Sequence, residues 1–364
     1  MSVAKIEKQP RLRRALRALW LVCVFGLTLE IAARLDDRLH YDAPVLGNYD
    51  FDQLVRSTDR GFRGVPHGRY LSWSLNGDGL RGPEVPPDIG QTRVLVYGAS
   101  EAFGVYEDDG KEFPRVLESE LNALSAPDRY DVINAGIPGM RVGSGTSLMR
   151  ELQQRFHPRV IVIYPTPTHY IGVSRPYCDR SPKSHSIEAS PGTRSRIVGK
   201  VKDEAKRVLP LTALSALRKA SIAWQMRDQT PLVRIDPASL EAFEADLHCA
   251  LHTARELGMI PVLVTHANRF GKIANPDDAY WSTGWRLQYP ELIESGFLDL
   301  EQRANKAIRK VALEERVKLV DAAAAIGGHP NWFADHAHFN NDGAAQMGAL
   351  LAPAVLDARH ALSR

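Results

Sequence analysis

The sequence predicts an α/β fold built on a parallel sheet, and three observations predict it. Five short runs rich in valine, isoleucine and leucine recur along the chain. Segments with helical periodicity separate them. Residues able to do chemistry gather immediately after the runs rather than before them. Strands apolar on both faces, alternating with helices, are the pattern of a parallel sheet with right-handed crossovers. With 364 residues, 44% of them hydrophobic, the chain can bury one large core.

The elements follow in chain order. Residues 1–17 hold six Lys or Arg against Glu7, a net +5, which leaves −2 for the rest of a chain at +3. A folded part without basic excess argues against a nucleic-acid binder. The basic tail runs into ALWLVCVFGLTLEIAA, Ala18–Ala33, apolar apart from Thr28 and Glu30. A spanning helix needs roughly 20 residues, and Arg17 and Arg34 can extend this run by snorkelling. The reading is a transmembrane signal anchor over residues 18–34. It keeps the tail cytoplasmic and carries the remainder to the periplasmic side of the inner membrane. A cleaved signal peptide and a buried amphipathic helix are the alternatives, although EIAARLDD offers a poor cleavage point.

Residues 35–90 form a turn-rich extension, in which the alternation of Leu71–Leu75 suggests a strand. TRVLVYG (Thr92–Gly98), YDVINAG (Tyr130–Gly136) and RVIVIYP (Arg159–Pro165) are the first three buried strands. MIPVLVTHAN (Met259–Asn268) and VKLVDAA (Val317–Ala323) are the fourth and fifth. Helices are expected over Phe113–Leu124, Ser147–Phe156, Ser239–Leu257, Leu300–Glu315 and Asp342–Ala361. Residues 91–360 therefore make one domain, interrupted by an excess at about 174–236. That excess is too long for an ordinary connection and reads as a helical cap near the mouth of the site, or as an insert without function. Of the three cysteines, Cys23 lies in the apolar run. Cys178 and Cys249 could pair in an oxidising compartment, and their spacing suits neither zinc nor a redox motif.

In open α/β sheets, ligands bind beyond the C-terminal ends of the strands. The first end gives Ser100, in a tight turn before a helix, with its hydroxyl exposed and its N–H free to face an oxyanion. The lysine of a phosphate-binding loop is missing there. The second end gives Gly136, whose N–H has no side chain in the way. The third gives YPTPTHY, Tyr164–Tyr170. The fourth gives THANRF, in which His266, Asn268 and Arg269 are candidates to line a substrate pocket. Asp321, ending the fifth, is read as fixing a turn. The loop beyond it carries FADHAHFNNDG, Phe333–Gly343. A serine needs a base to become a nucleophile, and an imidazole base needs a partner that fixes its tautomer. Asp335 and His338, three apart, can point the same way, so His338 would reach Ser100 while Asp335 holds the other ring nitrogen. His336 is read as a loop residue. Two histidines at i and i+2 with an aspartate fit zinc loosely, so neither a metal nor a cofactor is expected.

NGDGLRGPEVPP, RVLVYGASEAFGVYEDDGKEFPRVLESEL, VINAGIPGM and FADHAHFNNDGAAQMG are spread over roughly residues 70–355. Together they resemble the sequence blocks of the SGNH (GDSL-like) hydrolases, in particular their membrane-anchored bacterial members. The resemblance implies a flavodoxin-like, three-layer α/β/α fold with a five-stranded parallel sheet, and hydrolysis of oxygen esters. It makes Ser100 the nucleophile, Asp335 and His338 orienter and base, and the N–H groups of Gly136 and Ser100 the oxyanion donors. The chain departs from the family in two places. Gly-Asp-Ser-Leu is here Gly98-Ala99-Ser100-Glu101. The third block, which normally supplies an oxyanion asparagine, reads Pro165-Thr166-Pro167-Thr168-His169. Thr166, Thr168 and His169 are the candidates to replace it. The expectation is a cell-envelope serine esterase acting on acetyl or other acyl groups of a small-molecule, glycan or lipid-linked substrate. An O-acyltransferase using the same residues and a non-catalytic glycan-binding or polysaccharide-assembly protein are the rivals.

Overall fold

The computed structural model describes residues 8–58, 61–178, 195–271 and 276–360. The basic tail up to residue 7 and residues 179–194 of the expected insertion lie outside them.

Five strands form the central sheet: β5 (Thr92–Gly98), β6 (Tyr130–Gly136), β7 (Val160–Tyr164), β8 (Ile260–Val264) and β9 (Lys318–Val320). Their order is β6-β5-β7-β8-β9 and every pairing is parallel. This is the flavodoxin-like order, whose switch point lies where the chain leaves β5. The register aligns Gly98 with both Gly136 and Tyr164, so the first three strands finish level. The earlier, smaller elements are β1 (Val55–Thr58) with β2 (Gly61–Gly64), and β3 (Arg69–Tyr70) with β4 (Trp73–Ser74). The single strand expected at Leu71–Leu75 is instead this short hairpin, because Leu71 takes a positive φ of 52° and turns the chain.

The alternation of side chains along the strands builds two cores. Leu95, Tyr97, Ile133, Ile161, Ile163 and Leu263 face one side. There they meet α4 (Thr146–Phe156), α7 (Pro237–Glu256) and α9 (Glu294–Glu314). Val94, Val96, Val132, Val162, Val262 and Val264 face the other, against α3 (Phe113–Leu124) and α11 (Asn341–His360). The result is the expected three-layer α/β/α sandwich. α9 begins six residues before the predicted start, and α8 (Pro276–Arg286) was not foreseen.

α1 runs unbroken over Lys8–Tyr41. Its stretch Leu12–Tyr41 is long and apolar enough to cross a membrane, and its most apolar window, at mean hydropathy 1.8, is unburied. The second half of α1 is tied to α5 (Arg196–Val208) and to the residue before it by charge and hydrogen bonds. Glu30 accepts from Ser195 Oγ at 2.7 Å, and Lys200 Nζ lies 2.5 Å from Asp36 and 2.7 Å from Asp37. α6 (Leu211–Gln225) follows and packs on α8. The described part of the insertion thus carries two helices, α5 and α6. Cys178 and Cys249 form a disulfide that fastens its beginning to α7. Beside it, buried Asp246 accepts from the Tyr170 hydroxyl at 2.6 Å and from the backbone N–H groups of Tyr177 and Cys178.

Candidate active site

The site assembles at the C-terminal edge of the sheet. Ser100 opens α2 (Ser100–Phe103), a single turn that starts directly where β5 stops. Gly98 and Gly136 let this turn sit low on the sheet. A Cβ on Gly136 would fall 2.3 Å from Phe103 N, and one on Gly98 would fall 2.7 Å from Tyr164 O.

The base comes from the loop between β9 and α11. Asp335 Oδ1 accepts the backbone N–H groups of Ala337 and His338, each at 2.9 Å. These bonds curl the loop so that the His338 ring returns over its own carboxylate. His338 Nδ1 lies 2.8 Å from Asp335 Oδ2 and 3.0 Å from Oδ1. A carboxylate can only accept there, so Nδ1 carries a proton, and in the neutral ring Nε2 is the acceptor. His338 Nε2 is 2.9 Å from Ser100 Oγ, which donates to it in that form. The structure therefore brings Ser100, His338 and Asp335 into one unbroken hydrogen-bonded chain.

Electrostatics favour a cationic intermediate on the base. Burial would lower the pKa of His338, but the charge and hydrogen bonds of Asp335, helped by Glu101 and Glu107, push it up to about 9. Burial would raise Asp335, yet the His338 and His336 rings hold it below the ordinary carboxylate range. Glu107, buried beside the site, is raised to about 7, chiefly by desolvation. Tyr106 sets its ring 5.6 Å from that of His338, edge to face.

The expected oxyanion donors fare differently. The Gly136 N–H already donates to Asn134 Oδ1 at 2.9 Å, so it is not free, and Gly136 serves packing instead. Three residues on, Ile137–Met140 closes a turn through Met140 N to Ile137 O at 3.0 Å. Pro138 and Gly139, with φ at +82°, occupy its corner, the signature of a type II turn. A Cβ on Gly139 would meet nothing within 4 Å. The turn borders Gly98, Ala99 and Thr166 across a small void of about 10 Å³, which Met140 and Arg141 also line. A glycine in the left-handed region with open space before it is the stronger donor, and the Pro-Gly pair was its signal in the sequence.

Of the third-block candidates, Thr166 is committed, its hydroxyl donating to Glu101 Oε2 at 2.8 Å. His169 Nδ1 lies 3.1 Å from the Met140 carbonyl, which can only accept. Its ring proton is therefore on Nδ1 and, with burial lowering its pKa, Nε2 has none to donate. The Thr168 hydroxyl alone of the three is uncommitted.

The residues expected to line a pocket lie behind the site. His266 is fully buried, and its Nδ1 meets Glu301 at 2.8 Å. Asn268 Oδ1 accepts the N–H of Phe270. Arg269 straps the catalytic loop: its N–H donates to His336 O, and its guanidinium to Pro330 O and Phe333 O. Asp321 does fix a turn, accepting from Ala324 N and pairing with Arg309 at 2.8 Å. His336 packs edge to face on Phe297, beneath Gly284 of α8. Arg218 of α6 donates to Tyr280 O at 2.8 Å, so the α6–α8 pair covers the catalytic loop from above.

One group was missed altogether. Arg81, from the NGDGLRG segment, is buried and donates to the carbonyls of Phe103, Gly104 and Glu107. It clamps the chain that leaves the nucleophile.

No family model matches the sequence, and no curated protein matches it. Solved structures do resemble it. A lipase/acylhydrolase from Enterococcus faecalis is 14% identical, with a TM-score of 0.41 over 73% of this chain and 95% of its own. An acetylxylan esterase from Geobacillus stearothermophilus is 14% identical, with a TM-score of 0.41 over 75% of this chain and 96% of its own. The psychrotrophic esterase EstA from a Pseudoalteromonas species is 8% identical, with a TM-score of 0.42 over 73% of this chain and 98% of its own. The chain is similar to these ester hydrolases.

Proposed function

We propose that the chain is a serine ester hydrolase of the SGNH type. One observation carries the reading: the bonded series Ser100 Oγ, His338 Nε2 and Nδ1, Asp335 at 2.9 and 2.8 Å. In the first step Ser100 Oγ bonds to the acyl carbon. Its proton passes to Nε2, and the carbonyl π pair moves to oxygen. Asp335 stabilises the imidazolium that results. The N–H groups of Ser100 and Gly139, with the Thr168 hydroxyl, are the donors proposed for the oxyanion. Collapse expels the alcohol oxygen, which takes the proton from Nε2 and leaves an acyl-enzyme. Water, activated by the same imidazole, repeats the sequence and frees the acid.

The cell envelope is the proposed setting. The unburied apolar stretch of α1 supports an inner-membrane anchor, with the folded part on the periplasmic side. The Cys178–Cys249 bridge supports an oxidising compartment. An acyl, and in particular acetyl, ester on a glycan or lipid-linked molecule is the proposed substrate.

The test is labelling by a fluorophosphonate together with p-nitrophenyl acetate hydrolysis, using the detergent-solubilised full chain. Both should vanish in Ser100→Ala. Labelling that persists without Ser100 would remove the proposed nucleophile.

A further inference from the structure

Behind the nucleophile lies a second series of ionisable groups that the mechanism above does not use. Glu101 follows Ser100 in the chain, and its Oε2 stands 3.4 Å from Ser100 Oγ. The same oxygen accepts the Thr166 hydroxyl at 2.8 Å. Glu101 Oε1 faces His266 Nε2 at 3.4 Å, and His266 Nδ1 meets Glu301 Oε2 of α9 at 2.8 Å. All three side chains are at most 3% exposed. The backbone fixes the imidazole further, since Asn305 accepts from His266 N at 2.7 Å and donates to His266 O at 2.9 Å. Tyr164 stacks on the ring.

The charges decide what such a series can do. Two carboxylates on one imidazole, away from water, favour the imidazolium: burial opposes it, but Glu301 and Glu101 push His266 up to about 10. Burial would also raise Glu101, yet the His266 hydrogen bond and the charges of His338 and His266 hold it below the carboxylate range. Two carboxylates and one cation leave a net negative charge. Burying an ion costs several kcal/mol even when it is paired, and apolar replacements of buried pairs are often neutral or better. A purely structural role therefore gives little reason for this arrangement. Its position does, because one hydroxyl oxygen separates Glu101 from His338.

We propose that Glu101, His266 and Glu301 form a buried anionic relay in which Glu101 is a positioning residue for the catalytic pair. Its carboxylate stands 3.4 Å from the Ser100 oxygen that meets His338, and stabilises the cationic form of that histidine. It thereby joins Asp335 in setting the pH at which His338 becomes a base. This inference rests on the esterase reading only for its consequence in turnover; the protonation of His266 stands apart from it. The other groups facing His338 are Asp335 and His336 from its own loop, and Tyr106 and Glu107 from the chain after α2. Glu101 is faced by Thr166 and His169 after β7 and by His266 after β8, and Glu301 stands beyond the His266 ring.

The experiment is histidine-selective NMR on the full chain, paired with the pH dependence of fluorophosphonate labelling. In the wild type, the rings of His338 and His266 should both be doubly protonated at neutral pH, and the signature that survives to the higher pH should vanish in His266→Gln. A neutral His266 at pH 7 would overturn the relay. Glu101→Gln keeps the shape and removes the charge. It should move the acid limb of labelling, and the His338 titration, to lower pH by about one unit. The alkaline plateau should change only a fewfold. An unmoved limb in a folded Glu101→Gln protein would overturn the proposal, and where that variant does not fold, the wild-type protonation of His266 decides. Absence of labelling in the wild type at every pH would sink the esterase reading instead, while the NMR titrations would still settle the relay.

Discussion

Asp335→Asn tests the catalytic chain most directly, because the structure dictates what the amide must do. Oδ1 of Asp335 accepts two backbone N–H groups, from Ala337 and His338, whereas Oδ2 faces the imidazole, and the Tyr106 hydroxyl is a further hydrogen-bond partner of this carboxylate. An amide can satisfy both backbone donors only by placing its oxygen at Oδ1. Its NH₂ then stands 2.8 Å from His338 Nδ1, where the carboxylate oxygen was. Two donors cannot face each other, so the ring changes tautomer, accepting at Nδ1 and carrying its proton on Nε2. That proton points at Ser100 Oγ, and the base becomes a donor to the group it should deprotonate. Wrong-tautomer triads lose roughly 10⁴ in kcat, or about 5.4 kcal/mol of transition-state stabilisation. The backbone bonds survive, so Tm should hold to within a few degrees. The assay is p-nitrophenyl acetate turnover beside a thermal melt. A loss under about tenfold with an unchanged melt would refute the assignment of Asp335 as orienter.

Further outcomes are expected. Only neutral His338 takes a proton, and its pKa is raised to about 9, so kcat/KM should climb with pH and level off in the alkaline range; a profile already flat from pH 6 would contradict this. Thr168→Val should lower kcat by about 10² with less effect on KM if its hydroxyl meets the oxyanion. Arg81→Met leaves three carbonyls and the buried Glu112 without their cation, so it should cost about 3–5 kcal/mol in a denaturant melt. Cys178→Ser removes the bridge to α7 and should cost about 2–5 kcal/mol, and the bridge itself should appear as a reductant-dependent shift in mobility.

The sheet was legible because strands buried on both faces read as continuous apolar runs, and each of the five runs contains its strand. α8 escaped because PDDAYWSTGWR has no apolar stripe to reveal a helix. The bonded series of Ser100, Asp335 and His338 was legible because Ser100 sits just past β5, while Asp335 and His338 stand three apart in the connection that leaves the last strand. The turn proposed for the oxyanion lies three residues beyond Gly136, since a sequence displays two glycines but not which N–H is already spent on Asn134. His266 looked like a pocket residue for the same reason: being at a strand end does not say that a side chain will be fully buried. Glu101 registered as a missing leucine, although its meaning lies in the histidine it meets 165 residues later.

The chain order of the site has a consequence for synthesis. Ser100 leaves the ribosome early, whereas His338 arrives 238 residues later, on a loop held between β9 and α11. On the proposed mechanism Ser100 spends most of translation without its base, and a shortened product lacking the connection between β9 and α11 has no His338 to activate it. The topology makes the enzyme its own zymogen for as long as it is being made.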